Sequence, residues 1–297
     1  MLQHRLRSGG FGLSNRGGDG NRHSTPLKAK VQYPNRLVRN ARRYQRLFLA
    51  FANWPLYLAM KWGWLRRRTI LMKTRSGLQI EVPWELHHAF KDIFLYHTYV
   101  HPSILARLPE KPVILDVGGN VGFFSLFALH LRPLAQCLTF EPVSGNFAQL
   151  QKNRNGNPQA NWRLFRAAVA GADGTVRICS PSGRSLVTDA FIQSVHETEA
   201  NRSGPGEEVE ARTLETIFAQ ENIRHCDWLK LDCEGAEYEI LYRTPPALFD
   251  RISAITMETH GADGARNNAG ALTDYLERLG YDIWLADDTV VYALKHA

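Results

Sequence analysis

Asp232 and Glu234 stand two residues apart after the apolar run WLKL, and Glu258 and His260 stand two apart after AITM. On extended backbone, positions two apart project to one side, so each pair can gather titratable groups at the end of a strand. Carboxylates crowded together repel, and the repulsion raises at least one pKa, the usual route to a proton acceptor. The chemistry on offer is removal of a proton from a bound acceptor, with Asp232 or His260 as the base and Glu234 and Glu258 orienting that acceptor. Oxygen ligands at two strand ends would also suit magnesium or calcium, which is a rival reading of the same residues. The expectation is a site without a metal. Glu237 follows as a further titratable group above the sheet, or else shares a solvated helix face with Glu239, for which that is the preferred reading.

A second constellation lies upstream in VILDVGGNVGFFS, residues 113–125. Apolar residues lead into Asp116, then Gly118, Gly119, Asn120 and Gly122, then the apolar run FFSLFALHL. That order is strand, tight turn and helix. The glycines admit positive φ and close approach of a ligand, and a helix N-terminus offers N–H groups to an anionic group. A dinucleotide would require G-x-G-x-x-G, which fails because Asn120 follows two places after Gly118. The alternative is S-adenosylmethionine, with Asp116 anchoring the turn and the methionine end, and an acid at the end of the next strand for both ribose hydroxyls. QCLTFEP supplies that acid as Glu141. Dinucleotide enzymes place an acid there too, so the glycine spacing decides. Ala168, at the end of the following strand, completes the expected cofactor-binding set.

With these residues in view, the sequence resembles the FkbM-type S-adenosylmethionine-dependent methyltransferases. The matching pieces are DVGGNVGFFS (116–125), FEP (140–142), RTLETIF (212–218), WLKLDCEGAEYEIL (228–241) and METH (257–260). The DCEGAE block is the most specific, and Gly119 stands where the family usually has alanine. The resemblance implies a class I methyltransferase fold, a Rossmann-like and mostly parallel sheet ending in an antiparallel hairpin. It also implies O-methylation of a hydroxyl on a sugar, a glycolipid or a secondary metabolite. The segment GRSLV resembles the small-residue turn that the family places near substrate, so Arg184 and Ser185 are candidate acceptor contacts; a solvated loop is the other reading. S-adenosylmethionine carries its methyl on a cationic sulfonium, already activated. Alignment of the acceptor supplies about 7 to 11 kcal/mol. A base adds about 3 to 5 kcal/mol, so its loss should leave residual turnover. The alternative function is a membrane-associated binding protein that keeps the fold without the reaction.

Charge sorts the partners. Residues 1–80 hold 17 of the 36 lysines and arginines and one acid, Asp19, which leaves 19 basic and 28 acidic residues beyond. The catalytic part is therefore net acidic, which argues against a nucleic-acid groove over it. Agreeing with this, no Asn-Pro-Pro-Tyr-like segment follows the fourth strand; the only Pro-Pro, 245–246, comes a helix later. The acceptor is expected to be a small molecule or a glycan. Four cysteines, without metal spacing, read as reduced thiols and point to the cytoplasm.

Four regions are expected. Residues 1–35, rich in Gly, Arg, Ser and Asn, read as a disordered basic extension; an organelle leader is the alternative, but no amphipathic helix accompanies it. No secretory signal is evident. Residues 36–68 place arginines on both sides of LFLAFANWPLYLAM, too short an apolar run to span a bilayer. They read either as a peripheral membrane anchor or as helices covering the domain. Residues 69–110 form a cap of a hairpin and a helix that ends at Pro102, where a turn begins. His97 and His101, four apart, read as packing or surface groups. Residues 111–297 are the cofactor-binding domain, with strands at 113–117, 136–141, 163–169, 227–232, 252–258, 281–286 and 289–294. The last two, separated by two residues, form the hairpin. A long insert, 171–212, opens with a possible hairpin.

Overall fold

The computed structural model describes residues 29–30, 36–65, 68–179, 186–188, 190–192, 206–260, 267–286 and 289–296. The extension before residue 29, the candidate acceptor residues Arg184 and Ser185, and the Asp287-Asp288 joint lie outside the described residues.

The chain begins with the short strand β1 (Ala29–Lys30) and two helices, α1 (Arg36–Ala50) and α2 (Trp54–Lys61). Pro55 sits in the first turn of α2, where its missing N–H costs nothing. Asn53, between the helices, accepts from the backbone N–H of Lys73 and donates to the Leu71 carbonyl, both at 2.8 Å. It thereby pins the pair to the hairpin β2 (Thr69–Lys73) and β3 (Gln79–Pro83). Alternate residues of β2 are buried, as a strand with one covered face requires. Leu47, Phe51, Tyr57 and Met60 are all buried. Phe51 meets the rings of Phe90 and Phe94 at 5.4 Å each. The inner side of this helix pair is thus core.

Next come α3 (His87–Lys91) and a wider helical turn at Asp92–Tyr96. Here the structure corrects the sequence reading, which runs a helix up to Pro102. The helix stops at His97, in the left-handed region with φ 59, and α4 (Pro102–Arg107) starts at the proline. Proline fits a first helical turn and not an interior one. His97 packs edge-on against Phe127 at 4.9 Å, and His101 stacks on Trp284 at 4.3 Å.

The α/β part follows as β4 (Val113–Val117), α5 (Phe123–Leu131), β5 (Gln136–Phe140), α6 (Ser144–Asn155), β6 (Trp162–Phe165), β7 (Ala168–Val169), β8 (Gly174–Cys179), β9 (Phe191–Ile192), β10 (Gly206–Arg212), α7 (Leu214–Gln220), β11 (Trp228–Leu231), α8 (Glu237–Arg243), β12 (Ala254–Glu258), α9 (Ala269–Arg278), β13 (Tyr281–Ala286) and β14 (Val290–Lys295). The main sheet has eight strands in the order β1-β13-β14-β12-β11-β4-β5-β6. Strands β6, β5, β4, β11 and β12 run parallel, and β14 is antiparallel to both β12 and β13. Alternate residues feed opposite cores: Ile114 and Trp228 pack toward the N-terminal helices, Leu115 and Leu229 toward α7 and α8.

The expected strand 163–169 is in fact two. β6 stays in the main sheet, whereas β7 pairs with β10 in a second, four-stranded sheet ordered β7-β10-β8-β9. The long insert therefore supplies a sheet of its own, with β8 antiparallel to both β9 and β10.

Because Phe51 joins the first helix to the main core, Phe51→Ala should lower unfolding stability by about 3 to 5 kcal/mol in urea titration. A loss below about 1 kcal/mol would mean that α1 is only loosely attached.

Candidate active site

The carboxyl ends of β4, β5, β11 and β12 surround a cavity of about 470 Å³, within the range of small-molecule sites. Of the sequence candidates, Gly118, Gly119, Asn120, Glu141, Ala168, Asp232, Glu234, Glu258 and His260 all line it. Asp116 and Gly122 do not.

The glycine turn is shaped by what lies against it. Gly118 has φ 70, and a methyl group there would fall 1.8 Å from the Asp232 carbonyl oxygen. A methyl on Gly119 would fall 2.1 Å from Cγ2 of Thr139, so this chain spends on Thr139 the space that an alanine would need. Gly122, with φ 87, lies under Trp162 and Leu150 and is required for packing. The N–H groups of Gly118 and Gly119 both donate to the Phe140 carbonyl, and that of Gly122 to the Gly119 carbonyl. These three N–H groups are thus not free for a ligand. They lock the turn to β5 instead.

Glu141 is nearly inaccessible. One carboxylate oxygen accepts from the Asn120 backbone N–H at 2.8 Å, the other from the Val143 N–H at 2.9 Å. Burial pushes its pKa up to about 7, against those hydrogen bonds. Asn120, left-handed with φ 51, donates through Nδ2 to the Val187 carbonyl. Asn146 bonds the same residue twice, which holds that part of the insert against the cavity.

Asp116 is fully buried. It accepts from Ser125 Oγ at 2.7 Å and lies 3.3 Å from the Lys230 ammonium. It reaches the turn only through Lys230 and does not line the cavity, where the sequence reading has it meet a cofactor's methionine end. Lys230, which the sequence reading passed over, is the centre of this layer. Its Nζ donates to the Gly118 carbonyl at 2.7 Å and lies 3.6 Å from Asp232. Burial works against its charge, but Asp116 and Asp232 outweigh that and hold it well above the ordinary lysine range.

Opposite the turn, the Tyr99 hydroxyl lies 2.8 Å from Asp232 Oδ2 and 3.0 Å from Glu258 Oε2. With one proton to give, it satisfies one of them at a time. Glu258 is raised above the usual carboxylate range, first by burial and then by Asp232. Burial also takes Glu234 up to about 7. Glu234 and Gly235 have φ 53 and 105, a left-handed turn that a buried Glu237 secures by accepting from the N–H groups of Cys233 and Gly235. Glu237 is therefore no solvated residue; Glu239 is exposed. His260 lies 3.4 Å from both Glu234 and Glu237. Burial opposes its charge, yet Glu237 and Glu234 lift its pKa to about 9. Asp232, Glu234 and His260 have ligand-type atoms within 4.8 Å of one another. Tyr99 and the two cations already partner these groups.

Neither Tyr99 nor the role of Asn146 has a local sequence signal. Lys230 does: a charged residue inside the apolar strand WLKL must be paired or neutral.

This glycine turn, with acids at successive carboxyl ends of a mostly parallel sheet closed by an antiparallel hairpin, defines a class I, Rossmann-like methyltransferase. The Methyltransferase FkbM domain matches residues 116–283, and the chain belongs to that family. It is 24% identical over 246 residues to the AMB antimetabolite synthetase AmbE of Pseudomonas aeruginosa, covering 73% of this chain and 11% of that protein. The chain thus spans about a tenth of that relative. To the 31-O-demethyl-FK506 methyltransferase FkbM of Streptomyces tacrolimicus it is 26% identical, covering 63% of this chain and 80% of the other. Among solved structures, a methyltransferase FkbM from Methylobacillus flagellatus aligns with a TM-score of 0.44 and 14% identity, covering 71% of this chain and 54% of that one.

Replacing Lys230 by methionine strands the buried Asp116 carboxylate. The substitution should cost about 3 to 5 kcal/mol in chemical denaturation. An unchanged midpoint would show that Asp116 has another partner.

Proposed function

We propose that the protein is an S-adenosylmethionine-dependent O-methyltransferase acting on a hydroxyl of a small molecule, such as a sugar or a secondary metabolite. One observation carries the reading: Glu141 and Asp232, at the ends of strands on either side of β4, open into one cavity against a turn where any side chain at Gly118 would collide. The name of the Streptomyces relative, 31-O-demethyl-FK506 methyltransferase, supports oxygen as the methylated atom.

The residues present fit the cofactor. Glu141 presents a fixed carboxylate suited to two neighbouring ribose hydroxyls, and Gly118, Gly119 and Ala168 line the same cavity. When bound, S-adenosylmethionine supplies a methyl group already activated by its sulfonium charge. What remains for the chain is to orient the acceptor and take its proton. Asp232 is the proton acceptor in this reading, since it borders the turn and shares the Tyr99 hydroxyl with Glu258. His260, lifted to about 9, is protonated at neutral pH; it orients Glu234 rather than serving as base. No metal is needed, because Lys230 and His260 already supply positive charge to the acids. Activity should therefore persist in EDTA.

Incubation with methyl-labelled S-adenosylmethionine and an extract of the source cells should move label into a small-molecule or carbohydrate fraction, and Glu141→Ala should abolish it. Label confined to nucleic acid or protein would refute the acceptor class. Asp232→Asn should lower turnover by about 100- to 10,000-fold while leaving cofactor affinity nearly unchanged, because a general base contributes about that much. Undiminished turnover would remove Asp232 from the role.

Cofactor affinity should also depend on pH. The ionised Glu141 can accept from both hydroxyls, whereas the protonated acid has given one oxygen to its proton and accepts less well, so its pKa falls on binding. Affinity is then full above about 7 and lost below it. Between pH 8 and pH 6 calorimetry should show about a tenfold weakening, absent in Glu141→Gln.

A further inference from the structure

The two N-terminal helices are amphipathic in an unusual sense. Their inner side is spent on the core, and their outer side mixes large apolar residues with polar ones, Arg39, Arg42 and Gln45 among them. Of the nine large hydrophobic residues exposed among the described residues, six fall between Val38 and Trp64. Phe48 is 52% exposed, Leu49 59%, Trp62 52% and Trp64 74%. Scattered apolar surface residues need no explanation, but a concentration on one short segment does.

Cations are interleaved with these side chains. The Arg75 guanidinium lies 5.2 Å over the Phe48 ring and donates to the Phe48 carbonyl. Lys61 donates to the Tyr44 hydroxyl at 2.8 Å, and Arg43 lies 4.6 Å over the Tyr44 ring. Phe48 in turn meets Trp54 at 5.9 Å, and Trp62 meets Trp64 at 5.0 Å. These contacts join α1 to α2 and to the turn after β2, and the exposed apolar side chains from Val38 to Trp64 lie on or just beyond those helices. No acid occurs between Asp19 and Glu81, so the chain provides no local counter-charge.

We infer that this face docks the protein on an anionic phospholipid bilayer, lying in the interface without crossing it. The exposed tryptophans and tyrosine suit headgroup depth, Leu49 and Phe48 suit the acyl boundary, and the basic side chains reach anionic headgroups. No helix among the described residues is long and apolar enough to cross a membrane, so the contact is peripheral. A nucleic acid would use the same cations and could stack on the rings, but it offers nothing to Leu49. Each basic side chain near an anionic surface adds roughly fivefold to partitioning. The inference does not depend on the methyl-transfer chemistry.

The full chain should co-sediment with vesicles containing phosphatidylglycerol and not with pure phosphatidylcholine, and raised salt should release it. The triple variant Phe48→Ala, Trp62→Ala, Trp64→Ala should weaken that binding at least about tenfold, since it removes the inserted groups while the basic residues stay. Circular dichroism and cofactor binding should be unaltered, because all three side chains are largely exposed. Equal binding by the triple variant would assign the attraction to general charge and overturn the proposal. So would indifference to phosphatidylglycerol, or capture by an oligonucleotide in preference to vesicles.

Discussion

A single buried ammonium ties this site together. Lys230 projects from β11 into a layer where Asp116 is wholly inaccessible, and it contacts the last carbonyls of β4, one of them in the glycine turn. A charge in that position costs several kcal/mol unless paired, and so does the carboxylate beside it. The pair can be buried only if β4 and β11 keep their register, Lys230 opposite Asp116. That register is what brings the Asp232 backbone against Gly118. The ring of Tyr99 lies 5.4 Å from the same ammonium, so the cap is held to the same point.

The turn and the acids therefore behave as one rigid assembly. Its N–H groups are committed to β5 and to Glu141, and Glu141 is oriented by the backbone on both sides of it. Ligand selection is left to side-chain carboxylates and to shape. The carboxylates at the far side are set apart by environment: Glu234 and Glu258 are raised, Glu237 is consumed by a backbone turn, and His260 is held as a cation.

Much of this was legible in the chain. The strand-turn-helix at 113–131, the acid of FEP, and the paired acids after WLKL and AITM all fall where periodicity and spacing put them, and the terminal hairpin follows from its short joint. What could not be read was long-range. Tyr99 reaches Asp232 across 133 positions, and no local pattern announces it. The division of 163–169 between two sheets depends on β10, which pairs with β7 from more than 35 residues downstream. Pro102 misled because a proline can end one helix or begin another, and only the left-handed His97 decides which. Glu237 reads as solvated by residue type alone; its burial comes from the backbone N–H groups that curl around it.

Tyr99 lies upstream of the segment that defines the family, yet its hydroxyl meets two of the cavity's carboxylates, Asp232 and Glu258. The wall around it comes from the same upstream stretch, including His88, Ala89 and Ile93. Under the proposed reading, the acceptor meets a wall built from two lengths of chain, the carboxylates of the family segment and the upstream cap. Recognition of the donor is then tied to the sheet, while part of the acceptor's surroundings lies in a few dozen residues that the sheet does not need. Two such enzymes with matching family segments can thus differ entirely in what they modify, and the cap is the part whose comparison would tell them apart.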